Sequence, residues 1–498
     1  MSLDGVPGLL GVVLVTLATL AIGTWGLRFS RTTSDFFVAS RTVRPGLNAS
    51  AIGGEYLSAA SFLGIAGLVM VSGAEMLWYP IGWTAGYLIM LLFVAAPLRR
   101  SGAYTLPDFA EARLGSTAVR AACSALVLAI GWLYLLPQFQ GAGLTLAAVL
   151  GAPTWAGPLI VGAIVLANVS AGGMRSVTFV QAFQYWLKLT ALLLPLAVLA
   201  VAWLADGSPT PVAPETWSLP LADGGPQGLY LTYSLIVATF LGTMGLPHVV
   251  VRFYTNPDGR AARRTTLVVL ALLGAFYLLP AAYGALGRVH AADLERPDSL
   301  VLELPRLMVD GALGHVLTGL VVAGAFAAFL STSSGLAIAL AGVLSQDLVD
   351  RIHGSRVSGV TAFRMAAVAA VALPCLGAVA LPNVGIARSV GLAFAVAAST
   401  FAPLLLLGIW WRRLTDVGAI AGLAVGFVGS TSAVLTAMTG WSPPGWWGVL
   451  LTQPAAWSVP LAFAAMVAGS LLTPTRVSPM VNRLIVRLHT PESVEVQR

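Results

Sequence analysis

The chain has 498 residues, 57% of them hydrophobic and only 9% charged, with a formal net charge of +7. A soluble protein of this size would carry about 25% charged residues, so water is not its main solvent. Apolar stretches recur along its length, each near the ~20 residues that cross a ~30 Å hydrocarbon core, and the ~10-residue alternating segments of a membrane barrel do not appear. These features predict an all-α polytopic membrane protein. Its basic excess lies mostly in alternate loops, so it reflects topology and not nucleic-acid binding.

Hydropathy predicts about thirteen spans, near residues 6–28, 46–72, 76–98, 117–148, 154–171, 177–205, 229–252, 264–288, 311–345, 360–381, 387–410, 416–438 and 455–473. The first has neither a basic leading region nor a small-residue cleavage site, so it reads as a retained span and not a signal peptide. Arg28, Arg31, Arg41 and Arg44 follow the first span, and Arg99, Arg100 and Arg113 the third. Arg260, Arg263 and Arg264 follow the seventh, Arg351 and Arg356 the ninth, and Arg412 and Arg413 the eleventh. Every second loop is basic, which places the chain in the cell membrane, surrounded by lipid, with an external N-terminus and a cytoplasmic C-terminus. Residues 206–228 are rich in Pro and Gly and read as a turn region, and residues 289–307 read as a mixed-charge solvated face. The tail ending in "TPESVEVQR" is expected to be mobile. Cys123 and Cys375 lie in apolar runs and read as packing residues.

Two spans carry helix-breaking residues. The second contains Gly53, Gly54 and Gly64 within "GGEYLSAASFLG", and the seventh contains Gly242, Gly245 and Pro247 within "GTMGLPH". They are the first members of two consecutive five-span groups, and paired interrupted helices of this kind point to a transporter binding site. A helix unwound in a bilayer frees carbonyls and amides, which an ion, a substrate or a neighbouring helix must satisfy. Glu55 lies inside the first break, where an acid costs roughly 2.5–3.5 kcal/mol on insertion scales.

The sixth span holds Lys188, the only lysine of the chain. About ten residues into a helix rising 1.5 Å each, it lies ~15 Å deep, near the midplane. A buried ammonium needs a partner, and Glu55, a substrate carboxylate and the carbonyls of the broken spans are the candidates. The ninth span contains "AAFLSTSSGLAIA", with four consecutive hydroxyls, Ser331 to Ser334. Ala328, Ser331 and Thr332 share one helix face, offering a carbonyl and two hydroxyls, the hard oxygen donors that a sodium ion prefers. Ser/Thr bonding back to the preceding turn is the structural reading of the same pattern.

The stretches "SDFFVASR", "GEYLSAASFLGIAG", "YTLPDFAEARL", "LYLLPQFQGAG", "GTMGLPHVVVRFYT" and "AAFLSTSSGLAIALAGVLSQDL" occur in that order over roughly residues 35 to 430. Through them the chain resembles the sodium:solute symporter family, most of all its acetate/monocarboxylate permease branch. The resemblance implies a leucine-transporter-like 5+5 inverted-repeat core. Residues 1–45 would then form an extra span and its link. The core would be 46–410, with repeats 46–205 and 229–410, followed by two further spans in 411–473 and a cytoplasmic tail in 474–498. It also implies a sodium site built from the carbonyls of Gly54, Leu57 and Ala328 and the hydroxyls of Ser331 and Thr332. Ser58, Ser61, Tyr79, Trp83, Tyr134, Gln138 and Thr243 fall at the family's substrate pocket, and His248 at the inner end of the seventh span, as a capping or gate residue.

The sixth span departs from the family. Phe179 stands in "TFVQAFQYWLKL" where many members carry an Asp, so a second cation site relying on that acid is not expected. Of the two intramembrane charges, Glu55 is expected to serve the cation and Lys188 the anion. Co-transported sodium, no organic cofactor and a small anionic substrate such as acetate, propionate or pyruvate complete the expectation, with the monomer as the working unit. A sodium- or proton-coupled carrier of an amino acid, sugar or vitamin is the competing reading. An enzyme is not expected: His248, His290, His315, His353 and His489 are scattered, without an H-E-x-x-H or G-x-S-x-G arrangement. Neither a P-loop for a pump nor a TVGYG filter for a channel occurs.

Overall fold

The computed structural model of the chain describes residues 5–492, apart from 27, 29–32, 211–214, 222–224, 350–358 and 382–384. Arg31, Arg351, Arg356 and His353, and most of the terminal "TPESVEVQR", lie outside the described residues. Among those described, helices dominate and no strand occurs. Eleven helical segments are long and apolar enough to cross a membrane. Two of them run 42 and 50 residues, and a straight 50-residue helix would extend about 75 Å, more than twice the hydrocarbon thickness. The longer one bends at Gly173, whose φ of 55° and ψ of −155° interrupt the helix and suit a residue without Cβ. The expectation of about thirteen separate crossings is not established by this count. Large apolar side chains point outward from these helices, Leu278 being 72% and Leu472 81% exposed, as expected where hydrocarbon replaces water.

The helices that build the core are α1 (Val6–Gly26), α2 (Pro45–Tyr56), α3 (Ile65–Ser72), α4 (Trp78–Ile89), α5 (Thr117–Leu150) and α6 (Ala156–Ala205). They continue with α7 (Pro226–Gly245), α8 (Pro247–Phe253), α9 (Gly259–His290), α10 (Gly311–Leu344), α11 (Gly359–Ala380) and α12 (Ile386–Trp410). Two additional helices, α13 (Asp416–Thr439) and α14 (Ala455–Leu472), pack on each other and on α12. The packing repeats. In the first group the last helix, α6, lies against the broken helix α2, and in the second the last helix, α12, lies against the broken helix α7. The middle helices of the two groups, α5 and α10, pack together. This is the 5+5 core, and α1 is laid against α6 and α10 outside it.

The second break sits where the sequence places it; the first comes later than expected, because Gly53, Gly54 and Glu55 remain helical within α2 and Glu55 lies one turn before the unwound segment. Helix α2 ends at Tyr56, Leu57 leaves helical geometry with ψ of 85°, and a π-helical turn over Ala60–Gly64 leads into α3. Helix α7 ends at Gly245, Leu246 is extended, and Pro247 opens α8 from a position where its missing N–H costs nothing. Two segments differ from expectation. The 289–307 stretch runs into a helix, Leu300–Met308, which buries Leu300, Val301, Leu302 and Leu304 against the protein. The tail forms a helix over Val481–His489, docked through Ile485 and Leu488, and Glu492 accepts a hydrogen bond from the Gly259 amide at 2.8 Å. At the end of α10, Asp347 pairs with Arg120 at 2.5 Å, and the same guanidinium holds Asp108 at 2.9 Å and Glu111 at 2.6 Å.

Candidate functional site

The first break leaves the carbonyls of Gly54 and Leu57 without the amides that a continuous helix would bring to them four residues on. A third element supplies the donor. Lys188, fully buried on α6, donates from Nζ to the Gly54 carbonyl, to the Leu57 carbonyl at 2.7 Å and to Ser331 Oγ at 3.0 Å. Ser331 Oγ in turn donates to the Ala328 carbonyl at 3.1 Å, and Thr332 Oγ1 donates to the Glu55 carbonyl at 2.6 Å. The five residues to which the resemblance assigns sodium are therefore brought together, and the lysine ammonium sits among them. Lys188 was expected on the anion side. The helix register instead turns it toward the broken carbonyls, the third of the partners open to it.

Glu55 does not pair with Lys188. Its Oε2 lies 2.5 Å from Nε of Arg252 on α8, and both side chains are shut off from solvent. The remaining guanidinium nitrogens donate to Thr178 Oγ1 at 2.9 Å and to Gln181 Oε1. Gln181 Nε2 donates to the Ser331 carbonyl at 2.7 Å, so this network fastens α8, α6 and α10 around α2. Close approach makes this possible: a Cβ on Gly54 would come within 2.0 Å of the Gln181 carbonyl oxygen, and one on Gly335 within 2.1 Å of Glu55 Oε1. Glu55 thus joins the two broken helices to each other.

Arg252 was not singled out from the sequence. It stands four residues after His248 in "GLPHVVVRF", and the argument that drew attention to Lys188, an ionisable group in an apolar run, applies to it equally. Phe179, at the position where an acid was looked for, packs edge-on against Trp25 with ring centroids 5.3 Å apart.

The expected substrate residues surround the breaks but divide by what they touch. Gln138 uses its side chain structurally: Oε1 accepts from the Ala59 amide at 2.9 Å and Nε2 donates to the Tyr134 carbonyl at 3.3 Å, which keeps the first break open. Ser61 Oγ and the Tyr277 hydroxyl lie 2.9 Å apart, as do Thr243 Oγ1 and the Tyr56 hydroxyl. Trp83 is buried among Tyr79 and Phe394, each with its centroid 5.5 Å away, and Tyr277 at 6.0 Å. Tyr134 meets Phe394 at 6.0 Å and His248 at 5.1 Å. His248 lies in the first turn of α8, one residue past Pro247, and is completely buried; it is at the break itself and not at the inner end of the span. Trp83 Nε1, the Tyr87 hydroxyl and both ring nitrogens of His248 are buried without a hydrogen-bond partner among the described residues. Tyr56, the last residue of α2, and Tyr87, Tyr277 and Phe394 complete this aromatic enclosure; the last three escaped the sequence reading, because only tertiary contact brings them to the breaks.

An all-helical membrane core with two apposed broken helices, an oxygen-rich seam beside the first of them and an aromatic enclosure defines a secondary carrier of the inverted-repeat class. The sodium:solute symporter family model matches residues 36–426, and the chain belongs to that family. It is a multi-pass membrane transporter and not an enzyme. The chain is 31% identical over 475 residues to an uncharacterized symporter, YwcA, of Bacillus subtilis (strain 168), covering 91% of this chain and 92% of that protein. It is 30% identical over 514 residues to a monocarboxylic acid transporter of Corynebacterium glutamicum, covering 94% and 92%. Among solved structures, a Na+-coupled sialic acid symporter in a substrate-bound outward-open state shares the fold with a TM-score of 0.70, at 16% identity over 94% of this chain and 97% of that one. The closed, hydantoin-bound nucleobase-cation-symport-1 transporter Mhp1 matches with a TM-score of 0.59, at 15% identity over 91% and 98%.

Proposed function

We propose that the protein is a cation-coupled symporter that carries a small monocarboxylate, such as acetate, propionate or pyruvate, into the cell. The observation that carries this reading is the enclosure at the two breaks. Trp83, Tyr134, His248 and Phe394 make a compact, largely aromatic wall. Trp83 Nε1 and the Tyr87 hydroxyl are hydrogen-bonding groups with no partner among the described residues, a set suited to a small carboxylate and poor in the amides that would grip a sugar's hydroxyls. The likeness to the Corynebacterium glutamicum monocarboxylic acid transporter supports the same substrate class. Membership of a family described as sodium:solute symporters supports sodium as the coupling ion of the class. The alternating basic loops support entry from the side of the N-terminus.

Competition for uptake tests the substrate. In cells expressing the carrier, excess unlabelled propionate and pyruvate should each suppress uptake of labelled acetate, whereas a panel of sugars and amino acids should leave it unchanged. Suppression by a sugar or an amino acid, with none by the short carboxylates, would remove the monocarboxylate reading.

A further inference from the structure

The oxygen cage at the first break is already filled by the Lys188 side chain. The Lys188 ammonium has three N–H donors, and the cage presents three acceptors to it: the Gly54 and Leu57 carbonyls and Ser331 Oγ. A sodium ion at this place would need the same oxygens, all of them hard donors. The neighbouring charges do not favour a second cation either. Glu55 is engaged by Arg252, so no free carboxylate is left beside Lys188 to balance an added ion. Phe179, packed on Trp25, brings no carboxylate to the helix that carries Lys188. Two like charges sharing one cage in a low-dielectric interior repel strongly.

We propose that the Lys188 ammonium is a tethered replacement for the coupling ion at this site: it occupies the cage in place of sodium, and sodium binds there only when the lysine is removed. The proposal rests on the reading of the chain as a cation-coupled carrier. It adds that the cation at the Gly54–Leu57–Ser331 cage belongs to the protein. A sodium requirement arising from this cage is then absent in the native carrier, and removal of a cationic side chain creates one.

Binding of radioactive sodium to the purified full-length carrier in detergent tests this without any substrate. Wild-type protein should show no saturable sodium binding that Ser331→Ala removes. Lys188→Ala opens the cage, and it should bind sodium saturably, at least about tenfold more tightly than any residual binding by wild type, a gain of roughly 1.4 kcal/mol or more. Adding Ser331→Ala to Lys188→Ala should abolish the gain. A folded, monodisperse Lys188→Ala protein that gains no sodium binding overturns the proposal. If Lys188→Ala does not fold, wild type and Ser331→Ala decide alone: sodium binding by wild type that Ser331→Ala abolishes overturns it, and absence of such binding supports it. Failure of the carboxylate competition above would remove the assigned substrate and leave this result standing, so the two are separable.

Discussion

Replacing Arg252 with Met is expected to destabilise the carrier by about 3–5 kcal/mol, because it leaves the Glu55 carboxylate as a buried charge without its partner. The two side chains are at most 2% exposed and 2.5 Å apart, and no water layer screens them. Loss of Arg252 also strands Gln181 Oε1 and takes one donor from Thr178 Oγ1, which keeps its bond to the Met174 carbonyl at 2.7 Å, so the damage extends to the contacts joining α6 to α8. Glu55→Gln should be the milder change, since Gln keeps an acceptor for Arg252 and removes only the charge. The double variant should be more stable than Arg252→Met alone, since no uncompensated carboxylate remains. Thermal unfolding of the four proteins in one detergent measures this. Effects that add within about 0.5 kcal/mol would mean the two residues act independently and that the pair does not join the broken helices.

Trp83→Ala should abolish uptake and cost about 3–5 kcal/mol of stability, the usual range for emptying a buried tryptophan site. Its indole fills the space between Tyr79, Tyr277 and Phe394, and its carbonyl accepts from the Tyr56 hydroxyl at 3.2 Å. The informative variant is Trp83→Phe. It keeps an aromatic ring in the wall but removes Nε1–H, a donor with no protein partner. If that donor meets the substrate carboxylate, the missing bond is worth about 1.5–3 kcal/mol, and KM for acetate should rise tenfold or more while the unfolding temperature changes little. An unchanged KM would make Trp83 a wall and nothing else.

The parts of this molecule legible in the sequence are those decided locally. The Gly245–Leu246–Pro247 step breaks its helix because glycine and proline weaken a helix wherever it lies, whereas the first break falls at Leu57, just past the Gly53-Gly54 pair that drew attention to it. Ser331 and Thr332 share a face through helical periodicity alone, and that face meets the first break. Burial of Lys188 followed from counting residues into a span. Its choice of partner did not follow, because three helices converge on it and the register between them is not written in any one of them. The Glu55–Arg252 pair joins residues nearly two hundred positions apart, and either charge alone suggests several partners. The aromatic enclosure was half read for the same reason: Trp83 and Tyr134 were found by register within their spans, whereas Phe394 and Tyr277 reach it from helices with no polar seam to mark them. Gln138 was read as a substrate ligand, and its bonds to Ala59 and Tyr134 give it a positioning task at the break.

Accumulation by reconstituted carrier tests the central claim most directly. Liposomes containing the purified protein would be given labelled pyruvate, whose low pKa limits leakage of the neutral acid, with an inward sodium gradient in one arm and an inward proton gradient in another. The account predicts that pyruvate rises above its external concentration in at least one arm, stays there while the gradient lasts, and falls to equilibrium when an ionophore collapses it. Equilibration without accumulation in both arms, or no entry of pyruvate at all, would contradict a cation-coupled monocarboxylate symporter.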